Sequence, residues 1–305
     1  MIDLKIQIPK GFLDEETRCD YLVSKEMKEI WAVELDLLAE LDRICTKYNI
    51  KYFASGGTLL GAIRHQGFIP WDDDIDLAMA RKDYERLCEV APQEFVNPYF
   101  FQTEDTDPGS LRGHAQLRNS LTTGILKNEY PIKKKINQGI FIDIFPLDGV
   151  PDEMDEYKNL ELQAEALKKR FRKFSLFAYP GVLNIKSFKS IVKKIGSLLI
   201  AAYCKKKTAV FYKAFEEVCS TYNDRNTEFL SMLTFRFSDK RLYIEKRFLD
   251  DIQRVKFEFV TIPVLKGYDT LLKRQYGDYM VMKKDMSYHG GVIFDSGKPY
   301  IEYLK

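Results

Sequence analysis

The chain has 305 residues, 45% of them hydrophobic and 30% charged, which is enough to bury a substantial core in one large domain or two small ones. Its formal net charge of +2 singles out no partner and gives no reason to expect nucleic acid. Five cysteines, an odd number without a C-x-x-C, argue against a disulfide framework or zinc ribbon and for a reduced, cytoplasmic chain.

The opening MIDLKIQIPKGFLDEE lacks the pattern of a signal peptide, and no segment reaches the roughly 20 apolar residues of a membrane span. Residues 24–48 repeat apolar side chains at three- and four-residue spacings, among them Ile30, Trp31, Leu37, Leu38, Leu41 and Ile44. This predicts a helix with acidic residues in the gaps and Asn49 as its left-handed end. IKYFA (50–54) predicts a short buried strand, SGG (55–57) a turn and TLLGAIRH (58–65) a short helix. Pro70 holds Ile69 extended. DIDLAM (74–79) predicts a strand, 81–90 a helix, and HAQLR (114–118) and GIFIDIF (139–145) further strands. The alternation implies an α/β core, a mixed sheet flanked by helices. Residues 151–220 turn helical and lysine-rich. Beyond them VKFEFVTIP (255–263) predicts one extended piece and YDTLLKRQYGDYM (268–280) a helix ended or interrupted by Gly277. The chain thus divides into a core (1–150), a basic helical insertion (151–220) and a C-terminal part packing on the core (221–305).

The densest chemical signal is SGGTLLGAIRHQGFIPWDDDIDL, residues 55–77. Asp74 and Asp76, two apart on the predicted strand, point to one face. Two adjacent carboxylates repel, and a hard divalent cation, Mg²⁺ or Mn²⁺, would neutralise them. Asp72 either adds to this field or is simply solvated. An acidic surface loop is the plainer reading of DDD, but Pro70, Trp71, Ile75 and Leu77 embed it in apolar sequence, where charge needs a partner. An EF-hand fits poorly, because its sixth position is Leu77 rather than Gly and its twelfth Asp83 rather than Glu. Ser55, Gly56 and Gly57 let backbone N–H groups approach a phosphate, and Thr58 offers a hydroxyl. Alone, a Gly-Gly pair is only a turn. Asp143, between Ile142 and Ile144, is either a salt-bridge member or an inward-facing site carboxylate, whereas Asp148 in the following turn reads as structural.

GGTLLGAIRHQGFIPWDDDIDLAM resembles the signature of the LicD family, relatives of the fukutin proteins. RICTKYNIKYFASGG before it, GIFIDIFPLD, and the later FEF-TIP and YGDYM segments resemble the family too, so the likeness covers about residues 25–150 and 250–290. It implies a nucleotidyltransferase fold. There a Gly-Gly turn, here Gly56–Gly57, precedes an Asp-x-Asp pair, here Asp74 and Asp76, and a later strand adds a third carboxylate, here Asp143. It also implies a CDP-linked donor, CDP-choline in LicD proteins and CDP-ribitol in fukutin relatives. The acceptor would be a sugar or polyol hydroxyl on a bacterial surface glycan, such as teichoic acid or lipopolysaccharide, or on its lipid-linked precursor. Asp74 and Asp76 would hold one or two ions, and Asp143 would join them or take the acceptor proton, with CMP leaving.

Other positions keep two readings. His65, beside Arg64, suits a phosphate contact or a helix cap; Arg118 suits a phosphate contact or a surface ion pair. His289, in YHGG, resembles a histidine near the end of family members. Three histidines without ligand spacing make no zinc site. Residues 183–213 contain no Asp or Glu. Leu183, Ile185, Phe188, Ile191, Val192, Ile195, Leu198 and Leu199 approximate one helical face, with Lys186, Lys189, Lys193 and Lys194 largely elsewhere. That suits an amphipathic helix on an anionic membrane surface, peripheral at the inner face, or a core helix with a solvated lysine face. Two rival functions remain: a small-molecule nucleotidyltransferase, which releases pyrophosphate, and a non-catalytic membrane-associated glycan-assembly protein, against which the intact carboxylate set argues.

Overall fold

A computed structural model describes residues 1–127, 136–178, 188–237, 239–282 and 291–304. A small hairpin, β1 (Glu16–Arg18) and β2 (Tyr21–Val23), leads into α1 (Lys25–Tyr48). Ser24 caps α1 by accepting the Met27 N–H at 3.3 Å, and Asn49 ends it at φ 53°, the predicted left-handed turn. The helix is central: Trp31, Leu35, Leu38, Leu41 and Ile44 are at most 1% exposed, each contributing about 1.5–3 kcal/mol. The acidic residues in the gaps of its pattern, Glu34, Asp36 and Glu40, are buried as well. Asp36 accepts the Ile6 N–H at 2.9 Å and the Tyr99 hydroxyl at 2.7 Å.

There follow β3 (Phe53–Ala54), α2 (Gly56–Arg64), β4 (Asp76–Ala80), α3 (Arg81–Glu94), β5 (Tyr99–Gln102), β6 (Ala115–Asn119), β7 (Thr123–Leu126) and β8 (Ile140–Gly149). Two boundaries differ from prediction. α2 begins at Gly56, so the glycines form its first turn rather than a turn before it. β4 begins at Asp76, so Asp74 lies in the preceding segment rather than on the strand. The cause is a turn closed by the Asp72 N–H on Ile69 O (2.9 Å) and tied to α1 by the Trp31 indole N–H on Asp72 O (2.9 Å).

β8 organises a seven-stranded mixed sheet. It pairs parallel with β4, beyond which lies β3, and antiparallel with β6, beyond which lies β5. Its far end pairs with β9 (Phe229–Ser231), followed by β10 (Ile244–Glu245). Between β8 and β9, α4 (Met154–Ala178) and α5 (Phe188–Cys219) form an antiparallel hairpin. The hairpin buries its own apolar cluster, in which Tyr157, Leu160, Phe171, Tyr212 and Phe215 meet Val150, Leu233 and Phe237. The predicted extended piece near 255–263 is two strands, β11 (Ile252–Phe257) and β12 (Val260–Leu265), turning at Glu258 with φ 53°. α6 (Tyr268–Tyr276) ends at Gly277, φ 69°. β13 (Val292–Asp295) pairs with β7. Phe257, Ile262, Val264, Leu271 and Leu272 join the main core around α1. No described helix is long and apolar enough to cross a membrane.

Candidate active site

Along β8 the side chains alternate. Ile140, Ile142 and Ile144 are fully buried in the main core, while Phe141, Asp143 and Phe145 line a cavity of about 330 Å³ on the other face. Asp143 is the register partner of Asp76 on β4 and of Gln116 on β6, so the three stand in a row across three strands. Adjacent strands lie about 4.8 Å apart, which sets the two carboxylates side by side. Asp74 joins them from the segment before β4, and Asp74, Asp76 and Asp143 each bring a carboxylate oxygen within 4.8 Å of the others. Asp72, Asp73 and Asp74 form a second such group. An all-oxygen, anionic donor set at this spacing fits a hard divalent cation.

Gly56 and Gly57 make room for these acids. A Cβ on Gly57 would lie 2.8 Å from Asp72 Oδ2, and one on Gly56, whose φ is +53°, 3.2 Å from Asp76 Oδ2. The Thr58 hydroxyl accepts the Asp76 N–H at 2.8 Å, and the Ser55 N–H donates to Asp76 O at 3.0 Å. Thr58 therefore fixes the start of β4, and Ser55 lines the cavity beside it.

The electrostatics are lopsided. Burial, and then Asp76, Asp72, Asp143 and Glu34, push the Asp74 carboxyl well above its usual range. Burial also pushes Asp143 up. His114, with Gln116 and Arg112, outweighs it and holds Asp143 below its usual range. His114 Nε2 lies 3.1 Å from Asp143 Oδ1, and the Gln116 amide donates to the same oxygen at 2.6 Å. His114 Nδ1 is buried with no hydrogen-bond partner among the described residues, and its ring packs 4.4 Å from Phe145. From α1, one turn beyond Trp31, Glu34 reaches under the cluster. It is 1% exposed, its Oε2 has no hydrogen-bond partner among the described residues, and burial with Asp73, Asp72, Asp143 and Asp76 raises its pKa strongly.

A second cavity, of about 710 Å³, shares Gly56, Asp74, Asp76 and Phe235 with the first and extends past Gly57, Arg64, Trp71 and Tyr276. Tyr276, pushed up to about 12 by burial and by Asp76, Asp72 and Asp74, closes one wall. The carboxylates thus sit where two cavities meet. The smaller one is walled by Phe141, Phe145 and His114, and the larger opens along the first turn of α2.

The remaining expected site residues distribute unevenly. Arg64 lines the larger cavity, donating to Tyr279 O (2.8 Å) and His65 Nε2 (2.9 Å). His65 does not reach the carboxylates. It caps α2 and faces a separate cavity with Arg18, Cys19 and Lys256, and burial together with Arg64 and Arg18 lowers its pKa to about 4. Arg118 is not a surface residue; it is 1% exposed. It donates to Gln102 Oε1 and Gly139 O, both at 2.7 Å, and to Gln116 Oε1, and lies over the Phe141 ring. It sits behind the site and holds the amide that holds Asp143. Asp148 is structural, gripped by Arg81 at 2.8 and 2.7 Å. His289 lies outside the described residues. Glu34, Asp73, Arg112, Gln116, Phe235 and Tyr276 escaped the sequence reading. Of these, Asp73 stood within the DDD run, while Glu34 reads in the sequence like the other acids in the gaps of the α1 pattern.

The sequence profile of the LicD/FKTN/FKRP nucleotidyltransferase domain matches residues 49–177, from the approach to β3 to the end of α4. The lipopolysaccharide cholinephosphotransferase LicD of Haemophilus influenzae is 29% identical over 262 residues, which span 83% of this chain and 91% of the relative. Residues 49–177 thus carry the LicD-type domain, and the chain is similar to LicD over most of its length. Shorter likenesses are denser. An uncharacterized protein of Rickettsia prowazekii is 47% identical over 57 residues, 19% of this chain and 21% of its own. One of Caenorhabditis elegans is 49% identical over 47 residues, 15% of this chain and 12% of its own. The LicD profile takes in Asp74, Asp76 and Asp143 together with the β6 residues that hold the third.

Proposed function

We propose that the chain transfers a phospho-alcohol group, phosphocholine first among them, from a CDP-linked donor to a sugar hydroxyl of a bacterial surface glycan or its lipid-linked precursor. One observation carries the reading: Asp74, Asp76 and Asp143 converge where two cavities meet. Its support from likeness is the Haemophilus cholinephosphotransferase. A Mg²⁺ or Mn²⁺ ion held by Asp74 and Asp76 would supply charge neutralisation for the donor pyrophosphate and the transferred phosphoryl group. The larger cavity takes the nucleotide, with Arg64 and the first turn of α2 facing its phosphates. The smaller cavity takes the acceptor. The acceptor oxygen bonds to the choline-bearing phosphorus, the P–O bond to CMP breaks, and CMP leaves with the electron pair. The hydroxyl proton passes to Asp143, which His114 and Gln116 keep ionised and aimed.

The test is a thermal-shift series with Mg²⁺ and CDP-choline, CDP-ethanolamine, CDP-ribitol or CDP-glycerol, followed by product analysis with an acceptor glycan. CDP-choline should give the largest shift, and turnover should release CMP. Pyrophosphate release would instead assign nucleotide transfer. Nucleotide and Mg²⁺ binding without turnover on any acceptor would assign a non-catalytic role.

A further inference from the structure

The α4–α5 hairpin segregates charge. From residue 166 to 215 there are thirteen Lys and Arg and no Asp or Glu, so the remainder of the chain carries a formal −11 against the total of +2. The acids of the two helices, Asp155, Glu156, Glu161, Glu165, Glu216 and Glu217, lie toward its base, where it packs on the core. The far end is basic and apolar together.

That end also exposes what a soluble helix pair would bury. α5 packs through Ala201, Cys204, Thr208, Tyr212 and Phe215, a regular three- and four-residue stripe. Leu198, three residues before Ala201, and Ile200, four before Cys204, flank this stripe and Leu199 lies opposite it, yet all three are exposed, at 54%, 57% and 68% in that order. Of the apolar face expected from the sequence, Leu183 and Ile185 lie outside the described residues, as do the side chains of Phe188, Ile191, Val192 and Ile195. Phe174 of α4 meets Tyr203 and Phe211 of α5 across the hairpin, so Leu198–Ile200 lie level with or beyond the end of α4. Leu176 (78%) and Phe177 (58%) are exposed at that same end. Scattered surface leucines need no explanation, but five large apolar side chains gathered at one helical tip do. Around them Lys169, Arg170, Arg172, Lys173 and Lys206 are exposed.

We infer that the tip of the α4–α5 hairpin docks on an anionic lipid surface, with Leu176, Phe177, Leu198, Leu199 and Ile200 in the interface and the surrounding Lys and Arg on the headgroups. An interfacial helix gains from apolar burial and from basic side chains near anionic lipid, and this end offers both. A second copy of the chain fits the patch badly, because two tips of the same dense positive charge would repel. The net-negative remainder is repelled by the same surface, which orients the molecule tip-down. Tyr212, near the base, accepts the Gly113 N–H at 3.0 Å, and Gly113 lies between the cavity-lining Arg112 and His114. The site therefore stands some four helical turns, about 20 Å, above Leu198. Docking requires nothing of the proposed chemistry; if that chemistry holds, the cavities stand at the height of a lipid-borne glycan.

Flotation of the full chain with vesicles tests this apart from any activity. Binding to phosphatidylglycerol–phosphatidylcholine vesicles should exceed binding to pure phosphatidylcholine by about tenfold or more and fall steeply in 0.5 M salt. Leu198→Ser/Leu199→Ser/Ile200→Ser should lose about tenfold in binding with an unchanged melting temperature. Should that variant melt early, Lys169→Glu/Lys173→Glu, at exposed polar positions, should show the same loss without disturbing packing. Equal binding to neutral and anionic vesicles, or full binding by the charge-reversed variant, overturns the inference. So does an absence of vesicle binding alongside self-association that the triple serine variant abolishes, which would make the patch a contact between copies.

Discussion

Where β4 and β8 begin to pair, Asp76 stands beside Asp143, acid against acid; five residues on, Arg81 and Asp148 meet in a buried bidentate pair. The same strand pair, with the first residue of α3, thus carries charge in two ways. At the far end the chain supplies the opposite charge itself, and Asn223 adds a third hydrogen bond to Asp148 at 2.9 Å. At the near end it gathers like charge, to the point that Asp74 keeps its proton above the usual carboxylate range. The far end holds the fold together. The near end stores repulsion that an outside cation can relieve, which is what a site needs and a core does not.

The sharpest way to break this contrast is Asp148→Asn. It leaves the Arg81 guanidinium buried without its counter-charge and should cost about 3–5 kcal/mol of stability, read by denaturant unfolding. A loss below about 1 kcal/mol would remove the distinction between the two ends. Asp76→Asn should do the reverse, leaving the metal-free protein as stable as before or more so, because it removes repulsion. Transfer should fall by about a hundredfold to a thousandfold. Asp143→Asn should also slow transfer by about a hundredfold or more, yet spare donor binding better than Asp76→Asn does, by nucleotide titration against single-turnover rates. If Asp143→Asn keeps its activity and melts early, Asp143 belongs with Asp148 as a structural acid.

The smallest effect concerns pH. Proton and cation compete for Asp74, so stabilisation by Mg²⁺ should be present above its raised pKa and fade as pH falls through it. Without metal the sign is opposite. A carboxyl whose pKa is raised by folding costs stability above that pKa, and the cost disappears as pH falls through it. Melting curves across a pH series, with and without Mg²⁺, should therefore converge toward its acid end. A Mg²⁺ shift equal across the series would place the ion elsewhere.

α1 was legible because its apolar spacing is long and its end carries Asn49, and the α/β alternation was legible from β4, α3, β6 and β8. β5 and β7 were not, since YFFQ and TGIL are too short to show a period. The three carboxylates could be found because charge inside apolar sequence stands out. Their supports could not. Gln116 matters only through its register with Asp143, and register is a property of the sheet. Arg118 reads as surface by residue type alone, yet Gln102 of β5 and Gly139 and Phe141 at the start of β8 converge on it. Glu34 looks like one more solvated acid on a helix until the packing of α1 puts every face of that helix inside.

The clamp on Gly113 bears on how the molecule can be cut. Gly113 has φ +79°, and a Cβ there would lie 2.5 Å from Thr234 O, so no side chain fits between it and the segment that follows β9. Its N–H is held by Tyr212, from the hairpin. The hairpin is therefore not a detachable module. A trimmed core lacking residues 154–219 would bare Val150, Leu233 and Phe237. It would also strand the Gly113 N–H, loosening the short stretch that carries Arg112 and His114. Any minimal version of this enzyme fold has to keep at least the base of α5, even if the tip is discarded.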